Sequence, residues 1–243
     1  MSLPTFVFSL GAWVTPKVFD PLRARLAVLG FSSECLPHPS IGAEPPSKTL
    51  ADDVASLRDL LTTLADKGKD VIVVAHSYGG VVASAAVEGL DKSTRGTADK
   101  LGGIVKIIYV SAFALDKGQS LLGILGGNFL PWMRIEGDYV YADAAGAVGW
   151  QDLPLGEQEQ WNATMLHTSR LVFSGEATYE PWRDIPSTYV ICEQDHALPP
   201  QFQEQFAAKV GGPENTYRLQ SSHSPFLSMP DEVATLLQDI AKA

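Results

Sequence analysis

Short runs of apolar, β-branched residues alternate along this chain with longer runs in which apolar positions recur every three to four residues. The short runs predict strands over residues 5–10, 33–37, 71–76, 105–110, 188–192 and 216–219. The longer runs predict helices over 16–29, 50–67, 78–89, 200–209 and 231–241. In the second of these, Leu50, Val54, Leu57, Leu60, Leu61 and Leu64 form one apolar stripe. Pro16 and Pro200 stand at first-turn positions, where a missing N–H costs nothing. Strands alternating with helices imply crossover units, hence an α/β fold with a mostly parallel six-stranded sheet and helices on both faces. The runs VIVVA and IVKIIYV agree, because a strand buried on both faces need not alternate.

One stretch breaks the rhythm. From Asp116 to Asp184 no strand of comparable quality is visible, and Gly, Leu and the tryptophans Trp132, Trp150, Trp161 and Trp182 are mixed together. That is too long for a structureless loop in a compact domain. The expectation is a mainly helical cap, 116–184, inserted into a core made of 1–115 and 185–243. Residues 91–100 are polar and read as an exposed loop.

Composition narrows the function classes. A chain of 243 residues with 45% hydrophobic and 19% charged residues can bury a substantial core. Its formal net charge of -10 repels phosphate backbones and anionic lipid, which argues against nucleic-acid and membrane-surface partners. No apolar run reaches the roughly 18–20 residues of a membrane span. The apolar N-terminus lacks a basic leader region and runs straight into the first strand, so it does not read as a cleavable signal. Cys35 and Cys192, the two cysteines, read as small buried apolar residues in a reducing, cytoplasmic setting. No His, Cys and Asp cluster has metal-ligand spacing, and neither a metal nor a cofactor is expected.

The chemistry concentrates in VVAHSYGGVV, residues 73–82, where a polar trio ends a hydrophobic strand just before a helix. Strand, small residue, x, Ser, x, Gly, helix is the pattern of a nucleophile elbow, with Ala75 and Gly79 as the small residues flanking Ser77. The plainer reading is a helix-capping serine. Partners decide between them, since a serine needs a base held by a third group. His223 follows the last strand, in SSHSPF, and Asp195 follows the strand before it, in ICEQDH. Serine, acid and histidine therefore come in the order such folds use. Glu193 reads as part of the strand end, and Asp116, after the 105–110 strand, is an alternative acid. After the first strand, Gly11 lets the chain turn so that the Ala12 N–H, with that of Tyr78, forms an oxyanion hole. His76 reads as packing under the elbow, His38 and His196 as loop residues, and His167 as a cap residue that could reach substrate.

These segments, from FVFSLGAW through AHSYGG and STYVICEQDHALPP to SSHSPFLSMPDEV, resemble an α/β-hydrolase over nearly the whole chain. More narrowly the chain is similar to the small branch containing plant methylesterases and hydroxynitrile lyases with their microbial relatives. The resemblance implies a core lacking the two N-terminal strands of larger members, a cap between its last strands, and a possible homodimer. By position it implies Ser77 as nucleophile, His223 as base, Asp195 as orienting acid, and Ala12 and Tyr78 as oxyanion donors. Many relatives have His where this chain has Leu10. Lyases of the branch carry Thr in the oxyanion loop and Lys after the catalytic His, where this chain has Gly11 and Ser224.

The expectation is a serine hydrolase of a small apolar carboxylic ester or lactone, working through an acyl-enzyme. Trp13, Phe113, Trp132, Met133, His167, Phe173 and Trp182 are the candidate pocket walls. Two other classes share the fold: a small-molecule receptor, marked by slow turnover, and a non-hydrolytic lyase or isomerase, marked by turnover without Ser77.

Overall fold

The computed structural model describes residues 3–242. The first half of the chain runs β1 (Thr5–Ser9), α1 (Asp20–Val28), β2 (Ser33–Cys35), α2 (Leu50–Asp66), β3 (Asp70–His76), α3 (Gly79–Ala86), α4 (Lys92–Gly96) and β4 (Gly103–Val110). An inserted stretch follows, with α5 (Leu121–Ile124), β5 (Met133–Glu136), β6 (Tyr139–Ala142), α6 (Ala145–Gly149), α7 (Leu155–Asn162) and β7 (Thr168–Ser169). The chain then returns through β8 (Ser187–Cys192), α8 (Pro200–Val210), β9 (Thr216–Leu219), α9 (Pro225–Ser228) and α10 (Pro230–Lys242).

Six strands form one sheet in the order β2-β1-β3-β4-β8-β9, and every neighbouring pair is parallel. The unbroken apolar runs follow from burial on both faces. Val7, Val73, Ile107 and Ile191 point to one side, where they pack on α2, α3 and α8 through Leu57, Leu61, Val81 and Phe206. Phe8, Val74, Ile108 and Val190 point to the other, against Leu22 and Leu26 of α1 and Val233 and Leu237 of α10. Each such aliphatic side chain stabilises the fold by roughly 1.5–3 kcal/mol relative to exposure. Parallel crossovers bring the carboxyl ends of β1, β3, β8 and β9 to one edge.

Three local expectations need correction. The predicted 16–29 helix is a 3-10 turn, Pro16–Phe19, followed by α1, because Pro21 restarts the helix as a first-turn residue. Residues 91–100 are not merely an exposed loop. Asp91 caps α4 through the Thr94 N–H at 2.7 Å, and Arg95 is buried, its Nε donating to the Gly102 carbonyl at 2.6 Å. The inserted stretch holds a three-stranded antiparallel sheet, β5-β6-β7, beside its short helices. Its hairpin turns at Gly137, whose φ of 60° suits a glycine, and Arg134 lies over the ring of its cross-strand partner Tyr141 at 4.2 Å.

Among the described residues no helix is long and apolar enough to cross a membrane. Both cysteines are free; burial pushes the Cys192 thiol up to about 12.

Candidate active site

The elbow is built by close approach. β3 ends at His76, and Ser77 adopts a φ of 54°, the left-handed region that non-glycine residues enter only at a cost. Its carbonyl accepts from Gly80 N–H at 3.0 Å and Phe113 N–H at 3.1 Å. A Cβ on Gly79 would stand 2.4 Å from the Ser9 carbonyl oxygen, and one on Gly80 would stand 2.3 Å from that of Phe113. Glycine is therefore required at both positions. Ala75, fully buried, is paired with Ser9 of β1 on one side and Tyr109 of β4 on the other.

Asp195, in the loop after β8, is almost fully buried and its carboxylate is saturated with donors. Oδ1 accepts from the Ala197 and Leu198 N–H groups, both at 2.8 Å, and Oδ2 from Gln203 Nε2 at 2.9 Å and His223 Nδ1 at 2.6 Å. Gln203 is fixed in turn by the Cys192 N–H, which donates to its Oε1 at 3.0 Å. A proton on Nδ1 of His223 leaves Nε2 as the basic nitrogen. Ser77 and His223 line the same cavity. Among the described residues no hydrogen bond joins the Ser77 hydroxyl to the His223 ring, a contact that often tightens only when substrate binds.

Two residues around His223 carry more than the sequence indicated. Ser111, directly after β4, has a φ of 38°, and its Oγ lies 3.1 Å from His223 Nδ1 and 3.0 Å from the His223 carbonyl. Nothing in a serine at a strand end announces this. His76 packs under the elbow as expected, edge-on to Phe226, and its Nε2 lies 2.9 Å from the His223 carbonyl. Burial, and then the neighbouring His223 ring, push its pKa well below the usual histidine value, so His76 is a neutral Nε2–H donor.

The loop after β1 faces this group. A Cβ on Gly11 would come within 2.8 Å of His76 Nδ1, which leaves no room for the threonine of the lyases. Among the described residues neither the Ala12 nor the Tyr78 N–H has a protein acceptor, and both residues line the cavity. The Tyr78 hydroxyl donates to Asp53 at 2.7 Å, and Asp53 also accepts from Ser40 N–H at 2.8 Å and Ser40 Oγ at 2.6 Å. Burial and the adjacent Asp53 carboxylate raise the Tyr78 pKa well above the phenol range.

The cavity is partly open to solvent. Of the candidate wall residues, Trp13, Phe113, Trp132, Met133 and Phe173 line it, joined by Leu121, Trp150, Met165 and Leu198. His167 and Trp182 do not. The His167 Nε2 bonds the Ala43 carbonyl at 2.9 Å, and its ring sits against Tyr139 and Tyr141 on the flank of the inserted sheet. Trp182 packs edge-on against Tyr109 in the helix layer. Asp116, the alternative acid, is tied to Lys209 at 2.7 Å and takes no part in the site. No Asp, Glu, Lys or Arg side chain lines the cavity, and among the described residues no group of three or more His, Cys, Asp or Glu is placed to hold a metal ion.

A hydroxyl on a strained elbow at a parallel sheet's carboxyl edge, with a carboxylate-bound imidazole in the same apolar cavity, is the layout of a hydrolase. The chain belongs to the alpha/beta hydrolase family, whose model matches residues 6–236. It is 30% identical over 249 residues to the alpha/beta hydrolase nvfD of Aspergillus novofumigatus (strain IBT 16806), covering 99% of this chain and 98% of that protein. It is 24% identical to methylesterase 7 of Arabidopsis thaliana, covering 95% of this chain and 92% of the relative. Among solved structures, the pyrethroid hydrolase PytH superposes with a TM-score of 0.77 at 20% identity, covering 99% of this chain and 98% of that one, which bears on the fold alone. The resemblance to the methylesterase branch is thereby borne out, and these relatives support a hydrolase.

Proposed function

We propose that this protein is a serine-dependent hydrolase of a small, neutral, apolar carboxylic ester or lactone. The observation that carries the reading is the convergence of Ser77, His223 and two unpaired N–H groups on one apolar cavity, with His223 Nδ1 held by Asp195 at 2.6 Å. His223 Nε2 takes the Ser77 proton as Oγ attacks the carbonyl carbon. The oxyanion is held by the N–H groups of Ala12 and Tyr78. Collapse of the tetrahedral intermediate expels the alkoxide, which leaves as an alcohol carrying the proton from His223. A water that gives its proton to His223 then attacks the acyl-enzyme, and the acid leaves with Ser77 restored. Asp195, fully ligated, keeps the imidazole in the Nδ1–H tautomer throughout.

The substrate class follows from the walls. A cavity without a charged Asp, Glu, Lys or Arg side chain offers nothing to a free carboxylate or phosphate, whereas its tryptophan, phenylalanine and leucine surfaces suit an aromatic or alicyclic acyl group or lactone ring. On this reading residues 116–184 act as a cap that supplies most of those walls. Hydrolysis of p-nitrophenyl esters tests the proposal: Ser77→Ala and His223→Ala should each lower kcat by on the order of 10⁶, as in a serine protease. Turnover that survives Ser77→Ala would mean non-hydrolytic or acid–base chemistry instead.

A further inference from the structure

The oxyanion loop is held from one side by the sheet and from the other by the inserted segment. Trp13, next to Ala12, has a φ of 66°. For a bulky L-residue this conformation is strained, and it persists only where the surroundings impose it. Three hydrogen bonds impose it here. The Trp13 N–H donates to Thr168 Oγ1 at 2.9 Å, its indole Nε1–H donates to the Val140 carbonyl at 2.9 Å, and its carbonyl accepts from the Leu166 N–H at 2.9 Å. All three partners lie in the inserted segment, on or beside β6 and β7. The Trp13 ring is clamped there too, against Trp132 at 5.4 Å and Phe173 at 5.9 Å between ring centroids.

Thr168 is the pivotal member of this set. It is fully buried, and its backbone is locked on both sides, paired with Val140 of β6 and bridged to Ile41 in the loop after β2. Its hydroxyl is the acceptor for the N–H of the Ala12–Trp13 peptide. Without that acceptor the Ala12–Trp13 peptide loses its tie to β7, and the strain at Trp13 is free to relax by a shift of the loop backbone, Ala12 included, relative to Ser77.

We infer that Thr168 is a positioning residue for the oxyanion hole: through the Trp13 N–H it sets the Ala12 N–H, so that the inserted segment completes the catalytic machinery of the core as well as walling its cavity. This rests on the serine-hydrolase reading above. Its signature is a loss in the transition state without a matching loss in substrate binding. A misplaced donor costs part of the 10²–10³-fold that an absent one costs.

The test compares wild type, Thr168→Val and Thr168→Ser on p-nitrophenyl butyrate, with folding checked by thermal melt and Ser77 reactivity by fluorophosphonate labelling rate. Thr168→Val keeps the shape and deletes the acceptor; Thr168→Ser keeps the hydroxyl. The expected result is a kcat lower by roughly 30-fold in Thr168→Val with KM within about threefold, a labelling rate reduced in parallel, and Thr168→Ser near wild type. If Thr168→Val does not fold, Thr168→Ala is measured against the same outcomes. A folded variant lacking the hydroxyl whose kcat stays within about threefold of wild type overturns the inference, as does a loss that Thr168→Ser shares in full. Wild type that neither hydrolyses esters nor labels at Ser77 removes the serine-hydrolase reading itself, and the inference with it.

Discussion

The carboxyl edge of the parallel sheet and the segment inserted after β4 meet at one cavity and are built on opposite rules. At the sheet edge the groups around the His223 ring are held by hydrogen bonds: the Asp195 carboxylate accepts four and the His223 carbonyl has two donors within reach. The inserted segment turns apolar surface to the cavity through Leu121, Trp132, Met165 and Phe173, and keeps its charges outside, as in the exposed Arg134–Asp143 pair at 2.8 Å. On the proposed reading, one region fixes the positions of the reacting atoms and the other mainly fixes what can approach them. Their meeting point is Trp13, where a residue of the first region is shaped by hydrogen bonds from the second. On that reading, separating chemistry from selection would let substrate preference vary without disturbing the carboxylate–imidazole pair.

If the comparison holds, substitutions at the sheet edge should act on kcat and substitutions of the insert's cavity walls on selectivity, with Thr168 the exception because it acts through Trp13. After the losses expected of Ser77→Ala and His223→Ala, the largest effect belongs to Asp195→Asn, which keeps the volume but no longer enforces the Nδ1–H tautomer of His223. Steady-state hydrolysis should show kcat lower by on the order of 10⁴ with KM little changed, and a loss below about tenfold would show that Asp195 does not orient the base. Trp132→Ala should open the cavity wall while leaving the sheet edge intact. Measured across a series of acyl lengths, kcat/KM for long chains should rise relative to acetate by roughly 10-fold, since each methylene in an apolar pocket is worth about 1–3 kcal/mol. An equal fall for all chain lengths would put Trp132 in the framework instead.

The smallest effect concerns the buried histidines beneath the edge. Burial is the main cause that holds His38 and His76 below the usual histidine value in the fold, while both titrate near 6.5 when unfolded. The unfolded chain therefore binds more protons once pH falls below about 6.5, and stability is lost in that direction. It is fully present above about 6.5 and declines toward the native pKa values, by up to about 1.4 kcal/mol per pH unit for each histidine. Urea unfolding at pH 7.5 and 5.5 measures this; equal stability at the two values would mean that these rings are protonated in the native state.

The same division governed what the sequence made legible. The six parallel strands were readable because burial on both faces writes long apolar runs, and the candidate site was readable because Gly79 and the order Ser77, Asp195, His223 follow from backbone crowding and topology. The insert was opaque. β5 and β6 are four residues each, too short for alternation at Met133 and Ile135 to stand out from the surrounding glycines and aromatics. His167 and Trp182 carried the right chemistry for a pocket, but which side of a short strand or turn faces the cavity depends on register, which composition does not encode. Residues 91–100 misled for a related reason: Arg95 is polar, yet the Gly102 carbonyl and Asp66 let its guanidinium be buried. Ser111 and Thr168 were invisible because their roles depend on partners 112 and 155 residues away.

The central claim is that Ser77 is an activated nucleophile facing a formed oxyanion hole. Intact-mass analysis of wild type and Ser77→Ala after exposure to a fluorophosphonate tests it most directly. A single phosphonyl adduct on wild type and none on Ser77→Ala is the predicted result. A folded wild-type protein that takes up no adduct, or a Ser77→Ala variant that still takes one up, would contradict it.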